Sequence, residues 1–552
     1  MSTEEVADIF ELTSKLMELH EENPFKVKAV SNAAYKLSKT RIDLNPNHPE
    51  TIETIEGIGK GIAAKIQEIL IHGTTQELEE LKNKTPEGVI NMMGIKGVGP
   101  KKVRQLWQEL GIESTGELLY ACNENRLVEL KGFGSKTQEA IKQNIEFAQN
   151  NTGKLHYSRA EKISNEILDW MKKNNRSFED FSLTGEMRRK NEIITKIEIL
   201  ASTNNMEETA MLLSEKKGFI ADESIENTFF TEQDCKIIIY LSEPENYYKE
   251  LFLTTGHSDF IESFGELEEK TFETEEEIFE SRHLQFIEPE LRDIINVNEL
   301  SKKNKLPALI ELKDLKGILH NHSTYSDGMN SLKEMAYYCK ELGYEYLGIC
   351  DHSQSAFYAN GLKPETVIVQ HKEIDVLNKE MHPFKIFKGI ESDILNDGSL
   401  DYSNDVLASF DFIVASIHSN LKMTEEKANQ RLIKAIENPY TTILGHPTGR
   451  LLLARNGYPI DHKKIIDACA ANGVIIELNA HPYRLDIDWR WIPYCIEKGV
   501  MISINPDAHQ KDGYHDMRFG VYTARKGTLD KNNCFNALNL TEIESHFNKR
   551  KK

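Results

Sequence analysis

From Lys316 onward the sequence alternates between short apolar runs and amphipathic stretches. Seven runs read as strands: GILHNHS (317–323), YEYLGICDHS (344–353), FKIFKGIES (384–392), FDFIVASIHS (410–419), TTILGHPT (441–448), GVIIELNA (473–480) and GVMISINPDAH (499–509). Stretches such as LKEMAYYCKELG and HKKIIDACAANG separate them with helical periodicity. Apolar strands alternating with helices predict a parallel sheet closed into a barrel. Seven strands are one short of the usual eight, so a distorted (β/α)7 barrel is expected.

In such a barrel the C-terminal strand ends converge on one rim. The first strand brings His320 and His322 there, with Asp327 in the following loop. The second brings Asp351 and His352, the third Glu391, the fourth His418, the fifth His446, and the seventh Asp507 and His509. Only the sixth departs, ending in Asn479. Clustered imidazoles without a partner would be costly to bury. Imidazoles mixed with carboxylates suit Mn2+, Zn2+ or Fe2+, and the lack of cysteine among them argues against a Cys-type structural zinc. Nine donors exceed the needs of one ion, so two or three divalent cations are expected. Ser323 and Ser419 lie beside this set, but nothing marks either as an activated nucleophile.

The first 150 residues read as short amphipathic helices joined by glycine turns. Three copies of one pattern recur: IEGIGKGIAAKIQEIL (55–70), MGIKGVGPKKVRQLWQEL (93–110) and LKGFGSKTQEAIKQNI (130–145). Gly57, Gly59, Gly97, Gly99, Gly132 and Gly134 permit tight turns and leave backbone N–H groups exposed at the next helix start. Such groups hold a phosphate without reading sequence. Lys60, Lys101, Lys102 and Lys136 beside the turns would add charge to that contact.

Between 155 and 300 the patterns are mixed, with KIEILAST and CKIIIYLS as strand-like runs of a small sheet and TEEEIFESRHLQFIEPELRD as a charged, partly helical surface stretch. On a strand, residues two apart share a face, and a pair of carboxylates so placed can share a divalent metal. The pair here is Lys196 and Glu198. The net charge of −21 counts against a nucleic-acid partner, but residues 221–300 carry 22 Asp and Glu against 5 Lys and Arg. Residues 91–150 stay near neutral, with 8 basic and 7 acidic residues, so a DNA-facing surface is allowed there. The start, MSTEEVADIF, has no basic segment followed by an apolar run, and no apolar stretch approaches a membrane span. The seven cysteines form no CxxC pair, which fits reduced thiols in a cytoplasmic protein.

HNHSTYSDG, DHS, GIESDIL, ASIHS, GHPTGR and INPDAH resemble the PHP (polymerase and histidinol phosphatase) family of metal-dependent phosphoesterases. The resemblance implies a trinuclear centre held by His320, His322, Asp327, His352, Glu391, His418, His446, Asp507 and His509. Asp351 is expected to orient a neighbouring imidazole. Arg450 and Arg484 are candidates to hold substrate phosphate, the alternative for either being a surface salt bridge. The glycine turns resemble helix-hairpin-helix motifs, which grip the DNA backbone independently of sequence.

Taken together, the chain resembles the bacterial family X DNA polymerases that carry a PHP domain. That resemblance implies an 8 kDa-like helical domain at 1–90, a helix-hairpin-helix region at 91–150, and a nucleotidyltransferase-like α+β core with an acidic thumb-like region at 151–300. A linker at 301–315 and the PHP barrel at 316–552 complete it. NPFKVKAVSNAAYKL (23–37) looks like the family's start, and GEMRRKNE like its G-S-x-R-R-G-x-E turn, with Glu186 for the serine and Lys190 for the second glycine. The family's G-D-I-D then becomes Thr195, Lys196, Ile197 and Glu198. Counting back from Thr255, Gly256 and His257 puts Ile238 at the third acid's position, with Asp234 as the alternative if the alignment slips. A lysine repels Mg2+, so no Mg2+ and no polymerisation are expected at that site. Glu77 stands where some members use a Schiff-base lysine to open abasic sites. The expected function is a metal-dependent 3′-to-5′ exonuclease acting on DNA ends in repair, extending to abasic-site cleavage, and working as a monomer. The alternatives are an active polymerase with a proofreading PHP domain and a non-catalytic DNA-end scaffold.

Overall fold

The computed structural model describes residues 3–39, 44, 52, 55, 58–124, 126–174, 176–222, 225, 227–230 and 235–550. Gly57 and Asp234 lie outside them. The chain forms two compact units, Met1–Thr152 and Gly153–Lys552.

The first unit is all-helical. Helices α1 (Thr3–Leu19) and α2 (Pro24–Ser38) pack on each other, and Asn23 caps α2 by accepting the Phe25 N–H, with proline at the first helical position. The described residues of the three repeats make like contacts. Ile58, Val98 and Phe133, the residues between or beside the glycines, are buried, and their N–H groups donate to Ile55, Ile95 and Leu130 at 3.0 Å in each copy. The carbonyls of Gly59, Gly99 and Gly134 accept from Ala63, Val103 and Gln138, opening helices α3 (Lys60–His72), α4 (Pro100–Leu110) and α5 (Ser135–Asn151). Gly97 and Gly132 take φ of 88° and 92°, where a side chain would be strained.

The second unit holds a two-stranded pairing of Leu155–His156 with Ile193–Ile194 and two larger sheets. A five-stranded sheet contains β1 (Phe181–Thr184), β2 (Lys196–Ser202), β3 (Ile220–Ala221), β4 (Thr228–Phe230) and β5 (Lys236–Ser242), in the order β1-β2-β5-β4-β3. Its central strands β2 and β5 are parallel. Ile197, Ile199, Ile237 and Ile239 alternate onto the buried face, whose core also takes in Leu485 and Phe519 from the barrel segment. The barrel strands are β6 (Gly317–Ile318), β7 (Tyr346–Ile349), β8 (Lys385–Asp393), β9 (Phe412–Ser416), β10 (Ile443–Leu444), β11 (Ile475–Asn479) and β12 (Ile502–Asn505). All seven are parallel and adjacent in chain order. The edges meet where Asn321 bridges Ala508, with the His322 N–H on the Ala508 carbonyl at 2.8 Å and the Asp507 N–H on the His320 carbonyl at 3.1 Å. The result is the nearly closed, distorted seven-stranded barrel that the strand pattern implied.

The stretch 274–293 is a surface element only in part: it is helical over Glu276–Glu280 and exposes Glu276, Glu280 and Arg282, but one side of it is buried. Ile278, Phe279, Ile287 and Leu291 join Phe252, Phe260 and Phe264 in a core of their own. Glu275, Glu290 and Arg292 are buried with them, and they are paired. Glu275 receives a two-pronged contact from Arg188 (2.9 and 2.6 Å) and a third hydrogen bond from the fully buried Arg292 (2.6 Å). Arg189 reaches Asp293 at 2.9 Å and the Thr255 carbonyl at 2.7 Å. Lys526, at the end of a barrel helix, donates to the Arg189 carbonyl, Asn191 and Asp293. The GEMRRKNE turn is thus built into the junction between sheet and barrel, and part of the acidity of 221–300 is internal.

Burial pushes Glu275 up, yet the two guanidinium groups outweigh it and hold its carboxyl below the ordinary value. Its contribution to stability is therefore complete above the ordinary carboxylate pKa and drains as pH falls through the lower folded value. Glu275→Gln, which leaves two guanidiniums without their anion, is expected to cost about 3–5 kcal/mol in urea unfolding at neutral pH. The same variant should show a shallower loss of stability on acidification than the parent.

Candidate metal centre

The parallel strands deliver their side chains to one buried spot, and Glu391 at the end of β8 is its middle. Around this carboxylate, which is 1% exposed, stand five imidazoles. His352 Nδ1 lies at 2.9 Å, His446 Nε2 at 3.0 Å, His418 Nε2 at 3.1 Å, His320 Nε2 at 3.4 Å and His322 Nε2 at 3.7 Å. Asp507 Oδ1 sits 3.0 Å from His322 and 3.5 Å from His320. Asp327 lies 3.3 Å from His509 and 3.7 Å from His352. All nine side chains singled out in the sequence therefore come together. Ligand atoms of His322, Asp327, His352 and His509, of His320, His322 and Glu391, and of His352, Glu391 and His418 each lie within 4.8 Å of one another. These are three overlapping groups that could each hold an ion.

The donor set fits divalent cations on two counts. His320 Nε2, His322 Nδ1 and His446 Nδ1 are buried with no hydrogen-bond partner, and His352 Nδ1 and Glu391 Oε2, though 2.9 Å apart, are not aligned for one. Lone pairs buried without a partner are costly, and coordination is what would satisfy them. The second count is charge. Glu391 and Asp507 are buried, which pushes both up, but neighbouring imidazoles hold them well below the carboxylate range. The positive charge comes from the histidines: burial pulls His418 down, but Glu391 and Asp393 outweigh it and hold it up to about 10. Asp327 and Asp507 likewise hold His509 up to about 9 against its burial. His322, buried between two other imidazoles, falls to about 3. Cations would supply the same charge and free the ring nitrogens as ligands.

Local folding serves this geometry. Gly328 lets the loop carrying Asp327 turn back under His322, because a Cβ there would meet the His322 carbonyl at 2.7 Å. His446 and Asp507 are both non-glycine residues at positive φ, 22° and 51°, a conformation that persists where surrounding structure demands it.

Other expected residues fall elsewhere. Asp351 touches no imidazole: its carboxylate accepts from the Ser323 N–H and hydroxyl, the Ser326 hydroxyl and Gln370, and so braces the 320–328 loop. Arg450 is turned away from the donors, toward the Arg484 and Leu485 carbonyls and Asp488 (2.8 Å), where it props the 484–488 loop. Arg484 does reach the centre, with Nε 3.7 Å from Asp507 Oδ2. Two orienting carboxylates escaped the sequence reading. Glu477, on the strand that lacked a terminal donor, bonds His320 Nδ1 at 2.7 Å and accepts the His446 N–H at 2.7 Å. Asp393 bonds His418 Nδ1 at 2.5 Å. The available signal was a carboxylate inside an apolar run: IIELN and GIESD.

On the five-stranded sheet, Glu198 and Ile238 are direct neighbours across β2 and β5, and Lys196 faces Lys236. Lys196 Nζ lies 2.7 Å from Glu198 Oε1, which also accepts from Tyr240 at 2.8 Å. Among the described residues no group of three potential metal ligands forms there. In the first unit, Lys60, Lys101 and Lys136 are exposed, whereas Lys102 folds back on the Gly97 carbonyl at 2.9 Å. Lys101 lies 3.8 Å from Glu18. A Cβ at Gly59, Gly97, Gly99, Gly132 or Gly134 would meet nothing within 4 Å, so the turns present open backbone. Glu77 binds the ammonium groups of Lys26 and Lys65.

A nearly closed parallel barrel with a histidine-rich rim defines a PHP-type phosphoesterase, and residues 319–481 match the PHP domain model. Residues 1–75 match a helix-hairpin-helix domain and 89–146 a SAM-like helix-hairpin-helix tandem. The chain is 35% identical, over 99% of its length and 99% of the relative's, to the DNA polymerase/3′-5′ exonuclease PolX of Bacillus subtilis (strain 168). It belongs to this family, the bacterial family X DNA polymerases with a C-terminal PHP domain. It is also 27% identical, over 34% of this chain and 78% of the relative, to a probable phosphatase of Acetivibrio thermocellus. A probable phosphatase of Clostridium novyi (strain NT) is 25% identical over 35% of this chain and 78% of its own length.

If Glu477 and Asp393 orient ligands, Glu477→Gln and Asp393→Asn should each weaken Mn2+ binding about 10–100-fold. Equilibrium competition with a fluorescent chelator measures this, and unchanged affinity would remove the orienting role.

Proposed function

We propose that this chain is a metal-dependent DNA phosphodiesterase that trims 3′ ends in the 3′-to-5′ direction, in DNA repair. The observation that carries the reading is the ring of five imidazoles about the buried Glu391. His320, His322, Asp327, His352, Glu391, His418, His446, Asp507 and His509 would hold two or three divalent cations, Mn2+, Zn2+ or Fe2+. Cations held there would acidify water and neutralise charge on the phosphoryl oxygens. The chain itself positions and excludes: Glu477 and Asp393 fix the ring orientations of His320 and His418, and Arg484 at the rim takes a phosphate oxygen. Support for DNA as the substrate comes from the helix-hairpin-helix matches and from the name of the Bacillus subtilis relative. The open glycine turns with Lys60, Lys101 and Lys136 would hold the backbone without reading bases.

That relative's name also raises polymerisation as a second reading. We infer that the nucleotidyltransferase-like sheet here is a scaffold without it. Glu198 is neutralised by Lys196, Lys236 stands opposite, and Ile238 occupies the neighbouring position on the same face. An ammonium group there leaves no place for Mg2+.

A 5′-labelled single strand incubated with Mn2+ should give a ladder shortening from the 3′ end. His320→Ala and His322→Ala should abolish the ladder. Survival of wild-type rates in either variant, after metal-scrubbed protein is reloaded, would end the reading. On gapped DNA with dNTPs and Mn2+ no extension is expected, and any templated incorporation would restore the polymerase alternative. Replacing Lys60, Lys101 and Lys136 with alanine should flatten the log–log salt dependence of single-strand affinity by about 0.7 for each phosphate deprived of its lysine.

A further inference from the structure

The loop between β7 and the helix Pro364–Met381 presents a reversal of ordinary burial. Its small residues Ala356 and Ala359 are fully buried, while Phe357 and Tyr358 between them are 86% and 69% exposed. Single exposed aromatics need no explanation, but two adjacent rings on a firmly held loop do. The loop is pinned throughout. The Ser353 N–H donates to the Glu391 carbonyl at 3.0 Å and the Leu362 N–H to the His352 carbonyl at 2.8 Å. Gln354 and Ser355 both bond Asp401, and the Ser355 hydroxyl donates to Asp393 at 2.8 Å. Gly361 packs so closely on the Ser353 carbonyl that a Cβ would meet it at 1.9 Å. The rings are therefore displayed by a rigid base and are not loose ends of a flexible segment.

Their place is the second observation. The Tyr358 ring is 6.0 Å from His352, and His352 is 5.1 Å from His418. Beside His418 opens a cavity of about 560 Å3 lined by Asn396, His418, Asn420, Leu421, Lys422 and Lys427. Tyr358 thus lies beside one of these donors, with Phe357 next to it in the loop, and a polar, lysine-bearing recess opens beside the other. Aromatic faces beside a cationic groove are how proteins hold unpaired strands, since every base has a π-face and every nucleotide a phosphate.

We propose that Phe357 and Tyr358 form a stacking platform for the unpaired bases at the 3′ end of a DNA strand, placing its last phosphodiester over the donor cluster. The proposal rests on the phosphodiesterase reading above and adds to it what selects the end. At a base-paired terminus only the outer face of the last pair is open and successive bases cannot splay onto the two rings, so the platform confers preference for frayed or single-stranded ends. Lys422 and Lys427 lie where the phosphates of the same strand would run.

The test compares a 5′-labelled single strand with the same strand whose last two nucleotides carry no base, both with Mn2+. The wild type should cut the normal strand at a kcat/KM at least about 10-fold above the baseless one, the size of effect that stacking one base on an aromatic ring gives. In the Phe357→Ala/Tyr358→Ala variant that ratio should collapse toward one, and Phe357→Trp/Tyr358→Trp should restore it. Fluorescence anisotropy gives the ratio of Kd values for the same strands without any hydrolysis. A failed phosphodiesterase reading would leave all strands uncut while the binding ratio still reports on the platform. A ratio near one in the wild type, or a full ratio kept by the alanine variant, would overturn the proposal.

Discussion

A buried carboxylate cannot stand alone, and the burial of Glu391 organises this molecule. Taking such an ion out of water costs several kcal/mol unless opposite charge and hydrogen bonds replace the solvent. Here five imidazoles from four other strand ends and loops approach it, and Glu477 and Asp393 stand behind two of them. Parallel strands make this possible, because every C-terminal end faces the same way. The closing contacts between the first and last strands then bring His320 and His322 against Asp507.

The five-stranded sheet shows the opposite outcome on a similar frame. Its buried face remains an ordinary isoleucine core, while the other face has one carboxylate, its lysine partner and an isoleucine beside it. Packing and site chemistry can use opposite faces of the same strands, so the isoleucine core does not depend on what the other face carries. The arginines of the GEMRRKNE turn have taken internal partners: Arg188 and Arg189 tie to Glu275 and Asp293, and Lys526 of the barrel ties to the turn itself. The segment that resembles the family's G-S-x-R-R-G-x-E turn is part of the packing between sheet and barrel.

Much of this was legible in the residues. Strand periodicity located all seven barrel strands, and the residues at their ends are those that meet in space. The glycine repeats foretold three like turns, with Gly97 and Gly132 at positive φ. The misplacements share one cause, because a charged side chain's partner is not encoded near it. Asp351 precedes His352 in sequence yet points to Ser323, Ser326 and Gln370. Arg450 follows a histidine of the centre yet holds the loop around Asp488. Within 274–293, Glu276, Glu280 and Arg282 are at the surface as expected, but Glu275 is not, because its partner Arg188 lies far off along the chain.

The sequence by itself determined which residues alternate, which turn on glycine and which end each strand, because these follow from local stereochemistry and the period of hydrophobicity. Only the tertiary structure decided that Glu477 stands behind His320, that Arg484 and not Arg450 reaches Asp507, and that Phe357 and Tyr358 stay in solvent with Tyr358 beside His352. Each of those is a matter of distance between segments remote in the chain, which closing the barrel sets and no local pattern records.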